Sequence, residues 1–450
     1  MEYLIQTFFK NLLINFIISI KIILTGGDQM YFLKRNTIKF LLAGRTVSTL
    51  GDSLYQIAVV WYIFELTQST IFTGIAIASI SIPQALNFLF GPVIEKMNKR
   101  NILVYAQFIQ FLLMSIVPIY IIFNYENVYI VLIIMFLVSF MENFQGTAEM
   151  SIVPQLVEKN EIGNFNSLNN SLQQIISILI TGMFSVIIIY VGIRDVYLFN
   201  SLTFLIAFFL FSQIKSNQFS QKEVRYVEKE LKEVKRSKYK KELFEGLLYF
   251  NSSKLLIITI PFVLANGMLS AVNAVLPKYA DFLGDTKYYG FLVFSISVGL
   301  LLGSILSTLV MRYSVGKVFI ILPLFTGLLW VISLNQTNLV LSLIVFGLSL
   351  VPFGMMNIIF LTLNQQSVDQ NLLSRILSIS DSFLFISIPV GALIGGYIGS
   401  RFSPLVVMYG SATSFLLISA FYLFHPFLRK LPPLENLKLL PLEDLKVGEN

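Results

Sequence analysis

Cysteine is absent from the 450 residues and histidine occurs once, which excludes disulfides, thiolate metal sites and any His-rich metal cluster. With one histidine, no Ser-His-Asp set can be assembled, and no Gly-x-x-x-x-Gly-Lys-Ser/Thr loop offers a built-in ATPase. The expectation is therefore a protein that is not an enzyme and carries no cofactor. Charge is scarce too, 13% of residues against roughly 25% in a soluble domain. The net charge of +7 does not indicate nucleic-acid binding, because the basic residues sit in loops between apolar runs. The lone His425 falls near the end of the last run, beside Pro426, an interfacial position.

What is present is apolar sequence, 56% of the chain, in runs long enough to cross a bilayer. The runs predict twelve spans at 38–64, 71–94, 101–123, 127–150, 165–191 and 196–214, then 254–280, 288–310, 317–334, 338–363, 374–399 and 404–427. This is an all-α membrane protein whose first partner is the lipid bilayer. Residues 1–29 form an extension with a run too short to span, and translation is expected to start at Met30. The preceding Gly26-Gly27-Asp28-Gln29 can be encoded by GGAGGUGAUCAA, which resembles a bacterial ribosome-binding site. Beyond it the reading is a first half at 30–214, a basic cytoplasmic linker at 215–253, a second half at 254–428 and a cytoplasmic tail at 429–450, short and mostly disordered from Leu431.

Two internal repeats make the halves equivalent. Gly74, Ser79, Ser81 and Lys96 recur as Gly290, Ser295, Ser297 and Arg312, a constant offset of 216 residues. Residues 166–172 (NSLNNSL) recur as 377–383 (LSISDSF) at an offset of 211. Six spans per half is an even number, so the halves insert in parallel, a known plan for transporters. Loop charges orient them. With Lys34, Arg35 and Lys39 in the cytoplasm, the inner side also receives Lys96, Lys99, Arg100, Lys159, the lysine-rich linker, Arg312, Lys317 and Arg375. The outer side holds only Arg194, Lys278, Lys287 and Arg401, so both termini are expected inside.

On these residues the chain resembles the major facilitator superfamily, and within it the drug–proton antiporter branch with macrolide-efflux and enterobactin-export proteins. The resemblance is densest at Gly51-Asp52, Trp61, Glu65-Leu66-Thr67, Ser69, Gly74 and Pro83. It continues through 91–100 (GPVIEKMNKR), which is similar to the superfamily's loop motif Gly-x-x-x-Asp-Arg-x-x-Arg-Arg/Lys. Glu95 stands for the usual Asp, and Lys96 and Lys99 for arginines. The resemblance implies a cytoplasmic latch of Gly91, Glu95, Lys96, Lys99 and Arg100, with Glu95 facing the start of span 11 near Arg375. In span 4 the family's Arg-x-x-Gln-Gly becomes Glu142-Asn143-Phe144-Gln145-Gly146, an acid where the family has a base.

Ionisable residues inside spans are expensive and point to function. Asp52 lies in span 1 with Arg45 seven residues earlier, and Glu142 and Glu149 hold the same relation in span 4. Asp381 lies in span 11. A carboxylate shielded from water can exchange protons near neutrality, so Asp52, Glu142 and Asp381 are the proton-coupling candidates; the residues leave open a static Asp52–Arg45 ion pair. A cavity near the midplane would be lined by Tyr55, Trp61, Phe144, Asn266 and Asn357. The resulting expectation is a monomeric carrier in a bacterial cytoplasmic membrane that exports lipophilic or amphipathic molecules, macrolides among them, in exchange for protons. A dedicated exporter or importer of one metabolite, such as a siderophore or a self-made antibiotic, and a non-transporting sensor are the alternatives.

Overall fold

In a bilayer every backbone N–H and C=O must find a partner within the chain, which leaves the helix as the economical answer for each apolar run. The computed structural model describes residues 35–86, 97–123, 125, 127–157, 161–190, 192–214, 255–367 and 370–434. Residues 1–29, Met30, the linker, residues 435–450 and the motif residues Gly91, Glu95 and Lys96 lie outside the described residues.

Twelve helices of sixteen residues or more follow one another among the described residues. The first half contains α1 (Asn36–Thr67), α2 (Thr70–Ala85), α3 (Lys99–Ile122), α4 (Val128–Leu156), α5 (Ile162–Tyr190) and α6 (Ile193–Ser212). The second contains α7 (Leu255–Phe282), α8 (Tyr289–Leu306), α9 (Val315–Leu334), α10 (Leu339–Ser367), α11 (Gln370–Arg401) and α12 (Pro404–Phe424), followed by the short α13 (Pro426–Arg429). Local chemistry ends them where the sequence changes character. Asn98 and Asn127 accept from the backbone N–H groups of Asn101 and Tyr129 at the starts of α3 and α4. Ser403 caps α12, with Pro404 at its first position.

Nine of these helices are long and apolar enough to cross a membrane by length and composition; α1, α2 and α5 are the others. The described part of α2 has 16 residues. Several of the polar residues that dilute α1 and α5 line the cavity described below.

Packing within the halves is the same twice over. In the first, α1 packs on α5 and α6, α3 on α4 and α6, and α2 on α4. In the second, α7 packs on α11 and α12, α9 on α10 and α12, and α8 on α10. Between halves, α2 packs on α11 and α5 on α8, the contacts that a two-fold relation exchanges. These four helices carry the two repeats visible in the sequence.

The face that holds the start of α1 and the end of α12 is called here the terminal face. Among the described residues the contacts joining the halves lie toward the other, opposite face. Thr70 donates to the Gly396 carbonyl at 2.7 Å, and Thr73 donates to the Ala274 carbonyl. A Cβ on Gly74 would stand 2.5 Å from the Ala392 carbonyl oxygen, so only glycine lets α2 lie on α11 there. On the α5/α8 side the rings of Phe184 and Tyr289 meet edge to face at 6.2 Å.

The residues after α12 do not trail away as the composition suggests. The backbone N–H groups of Val315 and Gly316 at the start of α9 donate to the carbonyls of Pro432 and Leu431, and Leu431 and Leu434 are buried. Residues 431–434 thus satisfy free N–H groups of a helix start, which corrects the expectation of disorder for that stretch. His425 sits at the turn between α12 and α13, where its Nδ1 accepts from the Leu428 N–H at 3.5 Å.

Candidate functional site

A polar layer divides the core of the first half. On its terminal side a separate apolar cluster gathers Ile38, Leu41, Ile102, Ile152, Phe165 and Phe211. The main core lies beyond it and runs through both halves. Helices α1 and α4 run antiparallel, so a seven-residue step up one is matched by a seven-residue step down the other. Arg45 accordingly meets Glu149 at 3.3 Å, and one layer further in Asp52 and Glu142 occupy the corresponding places. Arg45 also donates to Gln173 Oε1 at 3.3 Å, which ties α1 to α5.

The inner layer has no such cation. Among the described residues neither Asp52 nor Glu142 makes an ion pair. Glu142 accepts a hydrogen bond from the Tyr55 hydroxyl at 3.1 Å. Asp52 is only 6% exposed; its Oδ2 accepts from Ser48 at 3.3 Å and its Oδ1 has no partner. Behind Ser48 stands a set of fully buried amides. Gln107 and Gln145 donate to the Ser48 oxygen at 3.0 and 3.3 Å, and Gln107 also bonds Gln145 and Gln110. Gly51 explains the Gly-Asp pair: a Cβ there would stand 2.7 Å from Asn200 Oδ1 and press on Thr203, so glycine seats α6 while its neighbour turns to the cavity.

That cavity is about 340 Å³. From α1 it is lined by Arg45, Thr49, Asp52, Ser53 and Gln56, and from α4 by Glu142. Helix α5 adds Asn170, Gln173, Gln174 and Ser177. Among the described residues the wall is made of charged, carboxamide and hydroxyl groups, all from the first half.

Of the residues picked out in the sequence, Asp52 and Glu142 line this cavity together. Asp381 is exposed on α11 and is not among the lining residues, though the repeat makes it the counterpart of Asn170, which is. Tyr55 is wholly buried behind the cavity and holds Glu142 rather than facing the space. Trp61 packs its ring at 6.5 Å from Phe184, and Phe144 lies 5.0 Å from Phe140. Asn266 donates to the Phe262 carbonyl at 3.1 Å within its own helix, and Asn357 is half-buried on α10. Lys99 opens α3. Arg100 donates to the Ser212 and Ile214 carbonyls, both at 2.6 Å, and so closes the end of α6 in its own half. Arg375 lies in helical backbone, and its side chain is outside the described ones. Ser48, Gln107 and the amides of α5 were not singled out in the sequence. The available signal was Gln107 and Gln110, three apart on one face of an otherwise apolar run.

Two parallel six-helix halves joined at one face, with a polar cavity among the helices of the first, define a membrane carrier built from two repeats. The sequence matches the Major Facilitator Superfamily over residues 41–388, and the chain belongs to that family. It is 24% identical over 405 residues to the uncharacterized MFS-type transporter YkuC of Bacillus subtilis strain 168, covering 87% of this chain and 92% of that one. It is 22% identical over 374 residues to macrolide efflux protein A of Streptococcus pyogenes, covering 80% and 88%. Among solved structures, a D-xylose–proton symporter superposes with a TM-score of 0.61 at 14% identity, covering 93% of this chain and 99% of that one. A peptide transporter POT in complex with sulfate gives 0.62 at 12%, covering 92% and 99%. At these identities the structural likeness concerns the fold.

Proposed function

We propose that this carrier exports an amphipathic small molecule from a bacterial cell in exchange for protons, and that Asp52 and Glu142 carry the exchange. The observation that carries this reading is the inner layer: two carboxylates, deep between membrane helices, line one cavity without a cation in ion-pair contact. Such groups are costly when charged. They are met either by a proton or by a cationic part of the substrate, and alternation between the two is antiport. Arg45 and Glu149, by contrast, pair with each other on the terminal-face side of the two acids.

The terminal face is the cytoplasmic one, as the positive loops indicate. With the halves joined at the opposite face, the cavity is then reached from inside, the side from which an exporter loads. Macrolides head the substrates to test, on the strength of the macrolide efflux relative. The working unit is the monomer, since both halves of the gate and the cavity lie in one chain. A nearly all-polar wall also favours a second reading, a carrier dedicated to one metabolite, whose substrate would face competition only from close analogues.

The test is reconstitution in liposomes loaded with a pH dye, comparing wild type with Asp52→Asn and Glu142→Gln on erythromycin, a cationic dye and a siderophore. Substrate-driven proton flux is expected in the wild type and should fall by roughly tenfold or more, a change worth about 1.4 kcal/mol, in at least one variant. Undiminished flux in both variants would move the proton to another acid, with Asp381 next in line.

A further inference from the structure

The cavity wall is unlike a greasy drug pocket, in which apolar and aromatic side chains predominate. Four carboxamides, Gln56, Asn170, Gln173 and Gln174, stand beside three hydroxyls, Thr49, Ser53 and Ser177. Carboxamides both donate and accept, so together with the hydroxyls they suit a ligand that offers several hydroxyl groups. The charge balance adds a cation to the description. Arg45 is in ion-pair contact with Glu149 and only at longer range from Asp52 and Glu142, so one cation stands against three carboxyl groups. Asp52 Oδ1 is buried, without a partner, on a residue that lines the space. A protonated amine is the group that such an oxygen accepts from.

The repeat then shows what the other half offers. Carried across at the offset of 211, the α5 wall of Asn170, Gln173, Gln174 and Ser177 becomes Asp381, Leu384, Phe385 and Ile388 on α11. Three of the four polar positions have turned apolar. A two-fold-related pair of helices, polar on one side and largely apolar on the other, matches a ligand with two unlike ends.

We propose that the substrate bears an amine-bearing polyol head, of the amino-sugar type, that seats in the first-half cavity against Asp52, Glu142 and the α5 carboxamides, with its apolar body toward Leu384, Phe385 and Ile388 of α11. The assignment rests on the carrier reading above and narrows its substrate class. The cavity of about 340 Å³ has room for a sugar-sized head.

A matched set of small probes tests it on the full chain in detergent, with thermal stabilisation and tryptophan fluorescence as binding readouts. N-hexylglucosamine has the amine, the hydroxyls and the tail. Hexyl glucoside lacks the amine, glucosamine lacks the tail, and hexyltrimethylammonium lacks the hydroxyls. The first should bind at least about tenfold tighter than each of the others, the factor that a single charge-assisted hydrogen bond supplies. Asp52→Asn with Glu142→Gln should erase its advantage over hexyl glucoside. Gln174→Leu should erase its advantage over hexyltrimethylammonium, and the retained melting temperature of each unliganded variant shows that it folds. Equal binding of hexyltrimethylammonium to the wild type would overturn the polyol head, and equal binding of hexyl glucoside would overturn the cation. Selective binding without proton flux in liposomes would keep the head-group assignment and sink antiport. Erythromycin-driven proton flux without selectivity among the four probes would do the reverse.

Discussion

Ser48 has one proton to give and two lone pairs to fill. Gln107 and Gln145 take the lone pairs, so the proton is directed at Asp52 Oδ2. That arrangement leaves Oδ1, the atom without a partner, as the place where Asp52 would exchange its proton under the antiport proposed above. Ser48→Ala would strand the Gln145 amide and a carboxylate oxygen at once, while Gln107 keeps Gln110 and Gln145, and each buried polar group left unpaired costs about 1–3 kcal/mol. Substrate-driven proton flux should fall by about tenfold or more, and Ser48→Thr, which keeps the hydroxyl, should restore most of it. A different outcome is expected at the Arg45–Glu149 pair. Arg45→Met leaves Glu149 buried without its cation and should lower stability by about 3 kcal/mol, whereas Arg45→Met with Glu149→Met should recover most of the loss. Thermal denaturation of the purified variants measures both.

Among helices, the deciding features are a ladder and a seam. The ladder is the antiparallel register of α1 and α4, which places Arg45 opposite Glu149 and Asp52 in the layer of Glu142. The seven-residue spacings were visible in both spans, and the sequence left open a pairing of Arg45 with Asp52 along one helix. The cross-helix partner took the arginine instead. The seam is the meeting of α2 with α11 at the opposite face, where Gly399 would bring a Cβ to 3.2 Å from Thr70 Oγ1. Because the chain has no native cysteine, Thr70→Cys with Gly399→Cys gives a cross-link free of background. It should form readily, stop transport, and release it again on reduction. Adding Gly74→Val, whose side chain would collide with the Ala392 backbone, should hold the seam apart and suppress the cross-link without unfolding the protein.

For the molecule as a whole, the prediction concerns which side the cavity opens to. A single cysteine introduced as Gln174→Cys should react with a membrane-impermeant maleimide in inside-out vesicles and not in right-side-out cells. Labelling from the outside alone would reverse either the orientation or the closed face. Substrate should slow the reaction by occupying the cavity, and Thr70→Cys with Gly399→Cys, once oxidised, should leave it unchanged because it locks the face that is already shut.

Membrane residence, the sequence of apolar helices and the kinship of the two halves were determined by the chain read in one dimension, and apart from α2, which is described only to Ala85, the helices begin and end within about six residues of the predicted spans. Each span partitions into lipid on its own hydrophobicity, so its neighbours do not need to be known. The acids of the site were legible for the same reason, since a charge within an apolar run is conspicuous. The tertiary structure alone decided that Ser48, Gln107 and Gln145 stand behind Asp52, that four polar residues of α5 complete the wall, and that Tyr55 and Phe144 serve packing and support. It alone decided which face is closed. Serine, glutamine and aromatic residues suit many places in a membrane helix, and their roles depend on how helices rotate and pack, which hydrophobicity along the chain does not encode.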